Sequence, residues 1–171
     1  AQIWSATHKD GVNTLRIVQN GAEKIVNTKN LILCTGAYDR TLPFPGWDTP
    51  GVMTPGGVQS LLKGHGVLAG KKVVVAGSGP FLLPVAAGVV KAGGEVVELL
   101  EANNSARWLL SPFVMLENVG KLKEAFYYVK TISQAKVRAR FATAVIAAHK
   151  NSEGNLESVD VATIRGNFKV K

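Results

Sequence analysis

The sequence predicts an α/β fold in which a Rossmann-like parallel sheet with flanking helices follows a small antiparallel β-meander. Two observations lead to this prediction. Short strand-like runs separated by hairpin turn signals occupy the chain up to Cys34, whereas from about residue 70 the pattern changes to strand, helix, strand. A hydrophobic content of 46% over 171 residues is enough for a sizeable core.

The change of pattern is clearest between Lys72 and Glu101. A β-branched run, Val73–Val75, is typical of a strand buried on both faces, and a Gly-Ser-Gly turn follows it at once. Apolar residues then recur at helical spacing until Gly93-Gly94, after which Val96–Leu100 reads as a second apolar strand. This order predicts a parallel sheet centred on Val73–Ala76 and Val96–Leu100.

The same stretch has the order of residues that a dinucleotide site needs. Gly77 makes the tight turn, Gly79 lets a pyrophosphate approach the backbone, and Pro80 suits the first position of a helix whose free N–H groups face the anion. Ser78 offers a backbone N–H and a hydroxyl to phosphate, although a simple turn serine is the alternative. Glu101, at the end of the second strand, accepts ribose hydroxyls and opposes a 2′-phosphate, which favours NAD over NADP.

Two residues depart from the usual pattern, and the site as a whole has an alternative. Leu82 stands where the fingerprint has a third glycine, which implies a wider gap between helix and strand that the leucine itself fills. Pro84 predicts a kink or a late start to the regular helix. A βαβ unit with a glycine turn and no ligand is the competing interpretation.

The segments before this unit read as meander, strand and linker. Asp10-Gly11 and Asn20-Gly21 are hairpin turn signals between short strands. Asn30–Gly36 reads as a further strand, with Cys34 expected to be a buried structural thiol. Residues 41–57 hold four prolines and four glycines and are predicted to be a linker.

The segments after the linker and after Glu101 are predicted from weaker patterns. Val58–Lys63 is expected to be a short helix, and Phe113–Val129 a surface helix. Lys136–Ala148 indicates strands. A loop at residues 151–155 separates Val145–Ala148 from Leu156–Ile164, which predicts a terminal hairpin.

Charge and composition exclude several classes of function. The net charge is +8, but the basic residues are spread singly along amphipathic elements without aromatic platforms, which argues for solvated faces and against nucleic-acid binding. No apolar run approaches the roughly 20 residues of a membrane span, and a cytoplasmic location is expected. The three histidines and the single cysteine are not at metal-ligand spacing, and no catalytic triad or paired carboxylate is evident, so neither metal ligands nor catalytic residues are predicted.

Two runs of sequence resemble a known family. LILCTGAYDRTLPFPGWDTPGVMTPGGVQSLLKG and VVVAGSGPFLLPVAAGVVKAGGEVVELLEA are similar to two-dinucleotide-fold FAD/NAD(P)-dependent oxidoreductases of the pyridine nucleotide-disulfide type. Within these, the runs resemble the amine- and opine-oxidising branch: opine oxidases, hydrogen cyanide synthase, dye-linked proline dehydrogenase and the sarcosine oxidase alpha subunit. That branch shares the Gly-Ser-Gly-Pro turn followed by leucines.

The resemblance implies a middle segment of such a protein. It divides the chain into the end of a split FAD-binding domain (1–45), a linker with a short helix (46–69) and an NAD(P)-binding-like domain (70–171). Thr35 and Gly36 correspond to the place where the parent's strand approaches FAD. The first glycine-rich turn, which holds the FAD pyrophosphate, has no counterpart here, so FAD is expected in the full-length parent only and the fragment alone is expected to be inactive.

The function implied is nucleotide binding within an FAD-dependent oxidoreductase that acts on an amine, imino acid or opine-like substrate. The implied partners are an adenine nucleotide, the missing FAD domain and other subunits of an oxidase or dehydrogenase complex. The alternative is a non-catalytic adenine-nucleotide-binding or structural domain of such a complex.

Overall fold

The computed structural model describes residues 1–105, 119–163 and 166–170, and the chain divides into two compact units, Ala1–Ala37 and Tyr38–Lys171. The first unit holds β1 (Gln2–Lys9), β2 (Val12–Gln19) and β3 (Ala22–Thr28). In the second unit the helices are α1 (Pro55–Ser60), which continues as a π-helical turn (Leu61–His65), α2 (Leu82–Lys91) and α3 (Val119–Gln134). Its strands are β4 (Lys72–Gly77), β5 (Glu95–Glu101), β6 (Arg138–Phe141), β7 (Thr143–Lys150), β8 (Leu156–Thr163) and β9 (Gly166–Val170).

The first unit is the predicted antiparallel meander. Its strand order is β1-β2-β3, and both connections are two-residue hairpin turns. Asp10 and Gly11 have φ of 50° and 75°, and Asn20 and Gly21 have φ of 53° and 74°. Positive φ at both central residues is what a type I′ hairpin turn requires, so the structure confirms the Asp-Gly and Asn-Gly turn signals.

The predicted strand Asn30–Gly36 is wrong. Residues 30–36 form no strand, and Ile32 and Leu33 are 85% and 74% exposed. Cys34 is also exposed, which corrects the expectation of a buried thiol. The physical reason is that a strand needs a neighbour for its backbone hydrogen bonds, and within the described residues none pairs with this segment.

The second unit has three layers and confirms the predicted α/β class. A parallel sheet with the order β4-β5-β6 lies in the middle. Helices cover one face of it, where Val89 and Ala86 of α2 are fully buried against Val75 and Leu99. The antiparallel sheet β7-β8-β9 covers the other face, where Leu100 packs with Val161.

The sheet is not centred where the sequence predicted. β5 is the central strand, as expected for Val96–Leu100, but β4, which contains Val73–Ala76, lies at the edge. The apolar run in β4 predicted burial between two neighbours, whereas only β5 pairs with it among the described residues. Hydrophobicity indicates that a strand is covered above and below, and it does not show how many strands lie beside it.

The helix predictions agree with the structure where it describes the chain. The short helix expected at Val58–Lys63 is α1 with its π-helical turn. Thr54 Oγ1, in the linker, accepts the Gly57 N–H at 3.3 Å and caps the helix, and the Oδ2 atom of Asp39, just before the linker, accepts the Gly56 N–H at 2.7 Å. The surface helix expected at Phe113–Val129 overlaps α3 from Val119, and its residues 113–118 lie outside the described residues.

The terminal strands agree with the prediction in outline. The strands expected in Lys136–Ala148 are β6 and most of β7, and the expected hairpin is β7-β8. On this sheet Asp160 Oδ2 lies 2.7 Å from His149 Nε2, and Asp160 Oδ1 lies 3.7 Å from Lys169 Nζ. Among the described residues, no helix has both the length and the hydropathy of a membrane span.

Truncating Leu100 to alanine is expected to be among the costly core substitutions. Its side chain is 0% exposed on the central strand, so Leu100→Ala should lower the free energy of unfolding by about 2–5 kcal/mol, through lost burial and a residual cavity. Leu42→Ala is the control, because Leu42 is 66% exposed and should change stability by about 0.5 kcal/mol or less. Urea denaturation measures both, and equal effects would contradict the assigned core.

Asp160 is expected to titrate below its ordinary range. The hydrogen bond to His149 lowers the pKa of the carboxyl from 3.8, with further lowering by the charges of His149 and Lys169 and an opposing effect of burial. Because the folded pKa is the lower one, this contribution to stability is present above pH 3.8 and is lost as pH falls through the folded pKa.

The test is an NMR titration of the Asp160 carboxyl carbon. His149→Ala should raise its pKa towards 3.8, and Lys169→Ala should raise it less, since His149 is the larger cause. An unchanged pKa in His149→Ala would show that the hydrogen bond does not hold the carboxylate in its charged form.

Candidate functional site

The loops that follow the three parallel strands meet at the carboxyl end of the sheet. Gly77, the last residue of β4, is in register with Glu101 of β5, which is in register with Phe141 of β6. The Ala102 N–H donates to the Gly77 carbonyl at 2.8 Å, closing the first two loops together. Doubly wound folds bind ligands at the carboxyl ends of their parallel strands, so this end of the sheet is the candidate site.

The glycine turn leaves its backbone open. Gly79 has a φ of +97°, and a Cβ placed on it would meet nothing within 4 Å. A side chain is therefore disfavoured there by the backbone conformation, and the space in front of the residue is clear for a ligand group. Gly77 is different, because a Cβ there would lie 3.2 Å from Cδ2 of Leu82. Leu82 thus fills the gap beside the turn, as its position in the fingerprint predicted.

Helix α2 begins after the turn, at Leu82, and not at Pro80. The Gly79 and Pro80 carbonyls accept the N–H groups of Leu82 and Leu83 at 3.3 and 3.2 Å, so residues 79–83 form a tighter turn before the regular helix. This confirms the late start expected from Pro84. That proline is the third helical residue, where its missing N–H would have no partner within the helix.

Glu101 is the central group of the site. Its side chain is 1% exposed, and its Oε2 accepts the Gly79 N–H at 2.9 Å. Its Oε1 accepts the Asn103 N–H at 2.8 Å and the Asn103 Nδ2 at 2.9 Å. A buried carboxylate is tolerated when N–H donors satisfy it, and the start of a helix is where a negative charge is favoured.

Asn103 joins the pieces of the site and was not predicted from the sequence. Its Nδ2 donates to Ser78 Oγ at 2.7 Å as well as to Glu101. Its carbonyl accepts the Ala142 N–H at 2.9 Å, which ties in the loop after β6. The available signal was an amide two residues after the strand-end acid, a spacing at which a side chain and backbone readily turn back on the strand.

The predicted site residues therefore fall into two groups. The first group lies together at the carboxyl end of the sheet and consists of Gly77, Ser78, Gly79 and Glu101, with Pro80 next along the chain. Thr35 and Gly36 lie in the other unit, in the exposed segment without strand pairing.

Two further features define the surroundings of the site. Phe81 and Phe141, at the start of α2 and the end of β6, are 47% and 40% exposed, so the edge offers apolar rings as well as polar groups. Within the residues that the structure covers, no group of three or more histidine, cysteine or acidic side chains is arranged to hold a metal ion.

Three curated proteins show where this chain has relatives. The opine oxidase A subunit of Agrobacterium tumefaciens is 34% identical over 137 residues, covering 71% of this chain and 27% of that protein. The HcnB subunit of hydrogen cyanide synthase from Pseudomonas aeruginosa is 30% identical over 148 residues, covering 85% and 32%. The sarcosine oxidase alpha subunit of a Corynebacterium species is 30% identical over 139 residues, covering 81% and 12%.

The chain is homologous to one part of these proteins. It spans about a quarter to a third of the length of HcnB and of the opine oxidase A subunit. No family model matches it. The resemblance to opine oxidase, hydrogen cyanide synthase and sarcosine oxidase that the two sequence runs indicated is thereby confirmed.

Two solved structures share the fold of this chain. The HOCl-induced flavoprotein disulfide reductase RclA of Escherichia coli matches 96% of this chain and 33% of its own, with a TM-score of 0.54 and 18% identity. 2-Naphthoyl-CoA reductase matches 80% and 17%, with a TM-score of 0.53 and 21% identity. These matches support the architecture alone.

Replacing Glu101 should loosen the glycine turn. In Glu101→Gln the side-chain NH2 group would face one of the backbone N–H groups that now donate to the carboxylate. The free energy of unfolding should therefore fall by about 1–3 kcal/mol, and the backbone N–H of Gly79 should exchange faster. Glu95→Gln is the control, because Glu95 is the same residue type, exposed, on the same strand. Amide hydrogen exchange of the two variants is the measurement. Unchanged protection of the Gly79 N–H in Glu101→Gln would contradict its hydrogen bond to Glu101.

Proposed function

We propose that this chain is the nucleotide-binding segment of an FAD-dependent oxidoreductase acting on an amine, imino acid or opine-like substrate. The observation that carries the proposal is the open Gly77–Gly79 turn held against the strand-end acid Glu101, in a chain homologous to oxidase subunits. The relatives' names, opine oxidase and sarcosine oxidase, are the basis for the substrate class.

Each residue of the turn would make a different contact with an adenine nucleotide. The open backbone at Gly79 gives a pyrophosphate its close approach, and the start of α2 favours the negative charge. Ser78 contributes its hydroxyl, which the Asn103 amide now orients at 2.7 Å. Flavin and nicotinamide supply hydride chemistry when bound, while the protein binds and orients them.

The ribose is assigned to Glu101, with one condition that the structure adds. The carboxylate is 1% exposed and both of its oxygens already accept N–H donors, so a ribose hydroxyl reaches it only by displacing one of those donors. The negative charge opposes a 2′-phosphate, and NAD is therefore the preferred nicotinamide cofactor.

The remaining parts of the function belong to the longer protein. FAD is assigned to the full-length parent, where Thr35 and Gly36 approach it from the unit that contains the meander. The three relatives are all named as subunits, so we place this chain in a complex with the rest of the FAD domain and with other subunits. We place that complex in the cytoplasm, because the single cysteine of this chain fits a reducing compartment.

A second candidate function rests on one specific observation. The Gly79 N–H and both Glu101 oxygens already have partners within the chain. A site satisfied in this way is stable without a ligand, which favours a non-catalytic adenine-nucleotide-binding or structural domain of the same complex. Absence of nucleotide binding would assign the structural domain, whereas binding together with reductase activity of the full-length parent would assign the first candidate and binding without turnover the non-catalytic one.

Calorimetric titration of NAD, NADP and ADP tests the nucleotide site. Gly79→Ala places a methyl group in the open space in front of the turn and should weaken NAD binding by about tenfold, roughly 1.4 kcal/mol. Gly93→Ala is the matched control, because Gly93 has a similar φ of +85° and open surroundings at the other end of α2. It should strain the backbone equally and leave the affinity unchanged.

Charge at position 101 should set the choice of nucleotide. Glu101→Gln removes the repulsion of a 2′-phosphate, so the preference for NAD over NADP should shrink in the same titrations. If the wild type binds none of the three nucleotides at millimolar concentration, the structural alternative replaces the nucleotide site. If NAD binds and the preference is unchanged in Glu101→Gln, the ribose assignment is wrong.

A further inference from the structure

Helix α3 carries two apolar stripes, and only one of them faces the core. Its buried stripe includes Tyr128 and Ile132, which pack into the same core cluster as the buried residues of α2. The second stripe lies on the adjoining face and includes Phe126 and Val129, which are 71% and 49% exposed. One apolar stripe is enough to hold a surface helix on its protein, so the second is available to a partner.

The exposed stripe has the spacing of a coiled-coil seam. Phe126 and Val129 lie three residues apart, with the half-buried Leu122 one turn before them and the exposed Ser133 one turn after. Positions 122, 126, 129 and 133 therefore alternate by four and three residues, as the a and d positions of a heptad do. These four residues form the α3 seam, which extends over about three turns of the helix.

Two lysines flank the α3 seam on its solvent side. Lys123 and Lys130 are both exposed, and each occupies the e position, directly after a d residue. Among the described residues, neither ammonium group takes part in an ion pair. Lys91 of α2 differs, because its Nζ lies 4.5 Å from the centre of the Tyr127 ring. The seam is thus bordered by two positive charges that no described acid balances.

The two lysines identify the kind of partner that fits the seam. In a pair of helices the e positions face flanking positions of the other helix, so acids placed there would meet Lys123 and Lys130. A second copy of the chain offers no such acids. In an antiparallel pair the lysines would meet each other, and in a parallel pair they would face Ala125 and Ile132. Residues 121–171, with ten lysines and arginines against four acidic residues, also favour an acidic partner.

We propose that the α3 seam is the docking site for an acidic amphipathic helix of another subunit of the oxidoreductase complex. Apolar side chains of that helix cover Phe126 and Val129, and acids seven residues apart pair with Lys123 and Lys130. Apolar burial supplies affinity, and the charges select the partner and fix its register. The assignment to another subunit rests on the proposed function, in which this chain belongs to such a complex.

Two synthetic helices, each of three heptads, are the probes for this surface. Both carry leucine at a and d, and they differ only in having glutamate or lysine at e and g, where like charges keep each helix from pairing with itself. The acidic helix should bind the 171-residue chain saturably and about tenfold more tightly than the basic helix. NMR should show the binding as shifts of the Val129 methyl groups and the Phe126 ring.

A charge swap tests the role of the two lysines and the folding of the variant together. Lys123→Glu combined with Lys130→Glu should weaken binding of the acidic helix by about tenfold and bring binding of the basic helix, which an unfolded variant could not do. Lys71→Glu combined with Lys150→Glu is the matched control, because it changes the net charge equally at two exposed lysines outside α3. It should leave the preference for the acidic helix unchanged.

Phe126→Ser tests the apolar part of the seam. It should weaken binding of the acidic helix by about tenfold, because the partner loses its largest exposed apolar contact. The urea midpoint of the chain should not change, since the Phe126 side chain is mostly in solvent. None of these measurements includes a nucleotide, so failure of the nucleotide site would leave them unaffected.

Several results would overturn the proposal. Failure of the acidic helix to bind, or equal affinity for the two helices, would show that the lysines do not select a partner. A lowered urea midpoint in Phe126→Ser would show that this ring belongs to the packing of the chain itself. If Val129 instead shifts on dimerisation of the chain, or on adding vesicles that contain phosphatidylglycerol, the seam belongs to a second copy or to a membrane surface.

Discussion

The buried carboxylate of Glu101 is the interaction on which the geometry of the site depends. It takes the N–H of Gly79 from the loop after β4 and the N–H of Asn103 from the loop after β5. Because it is desolvated, it cannot give up these donors to water, and each loop is fixed by the other. A ligand that takes the Gly79 N–H must therefore replace a bond that the folded chain already makes.

The central strand carries two buried acids that are satisfied in different ways. Glu98 and Glu101 lie three positions apart on β5, so they project to opposite faces of the sheet. Glu98 makes a two-point ion pair with Arg140, whose guanidinium lies over the ring of Phe168 and so joins β6 to β9. Glu101, on the helical face, is held by N–H groups instead. One strand thus fixes both the packing of the third layer and the form of the site.

The sequence was sufficient for features that depend on local physics. Asp10-Gly11 and Asn20-Gly21 specify hairpin turns through their own backbone preferences, and the spacing from Gly77 to Glu101 places the turn beside the acid. Features that depend on distant partners were not predictable in this way. The apolar run at residues 31–34 has the composition of a strand but lacks a partner in the described chain, and β4 has the composition of a central strand but lies at an edge.

The site residues followed the same division. Glu101 could be predicted as an acceptor from its place at the end of a strand, but its donors in the folded chain include Asn103, which has no motif of its own. Whether a carboxylate faces a ligand or the protein depends on the donors that the fold brings to it. That is a property of two loops brought together by the fold, which spacing along the chain does not record.

The main chain and the side chain of Asn103 make different contacts. Its carbonyl holds the loop after β6 through the Ala142 N–H, and this bond involves the main chain alone. Its side-chain amide donates to Ser78 and Glu101. Many residue types at position 103 would keep the main-chain bond while removing the side-chain donor that the acid now meets. Evolution can therefore change the chemistry of this edge by substitution at one position, without first having to rebuild the loops that form it.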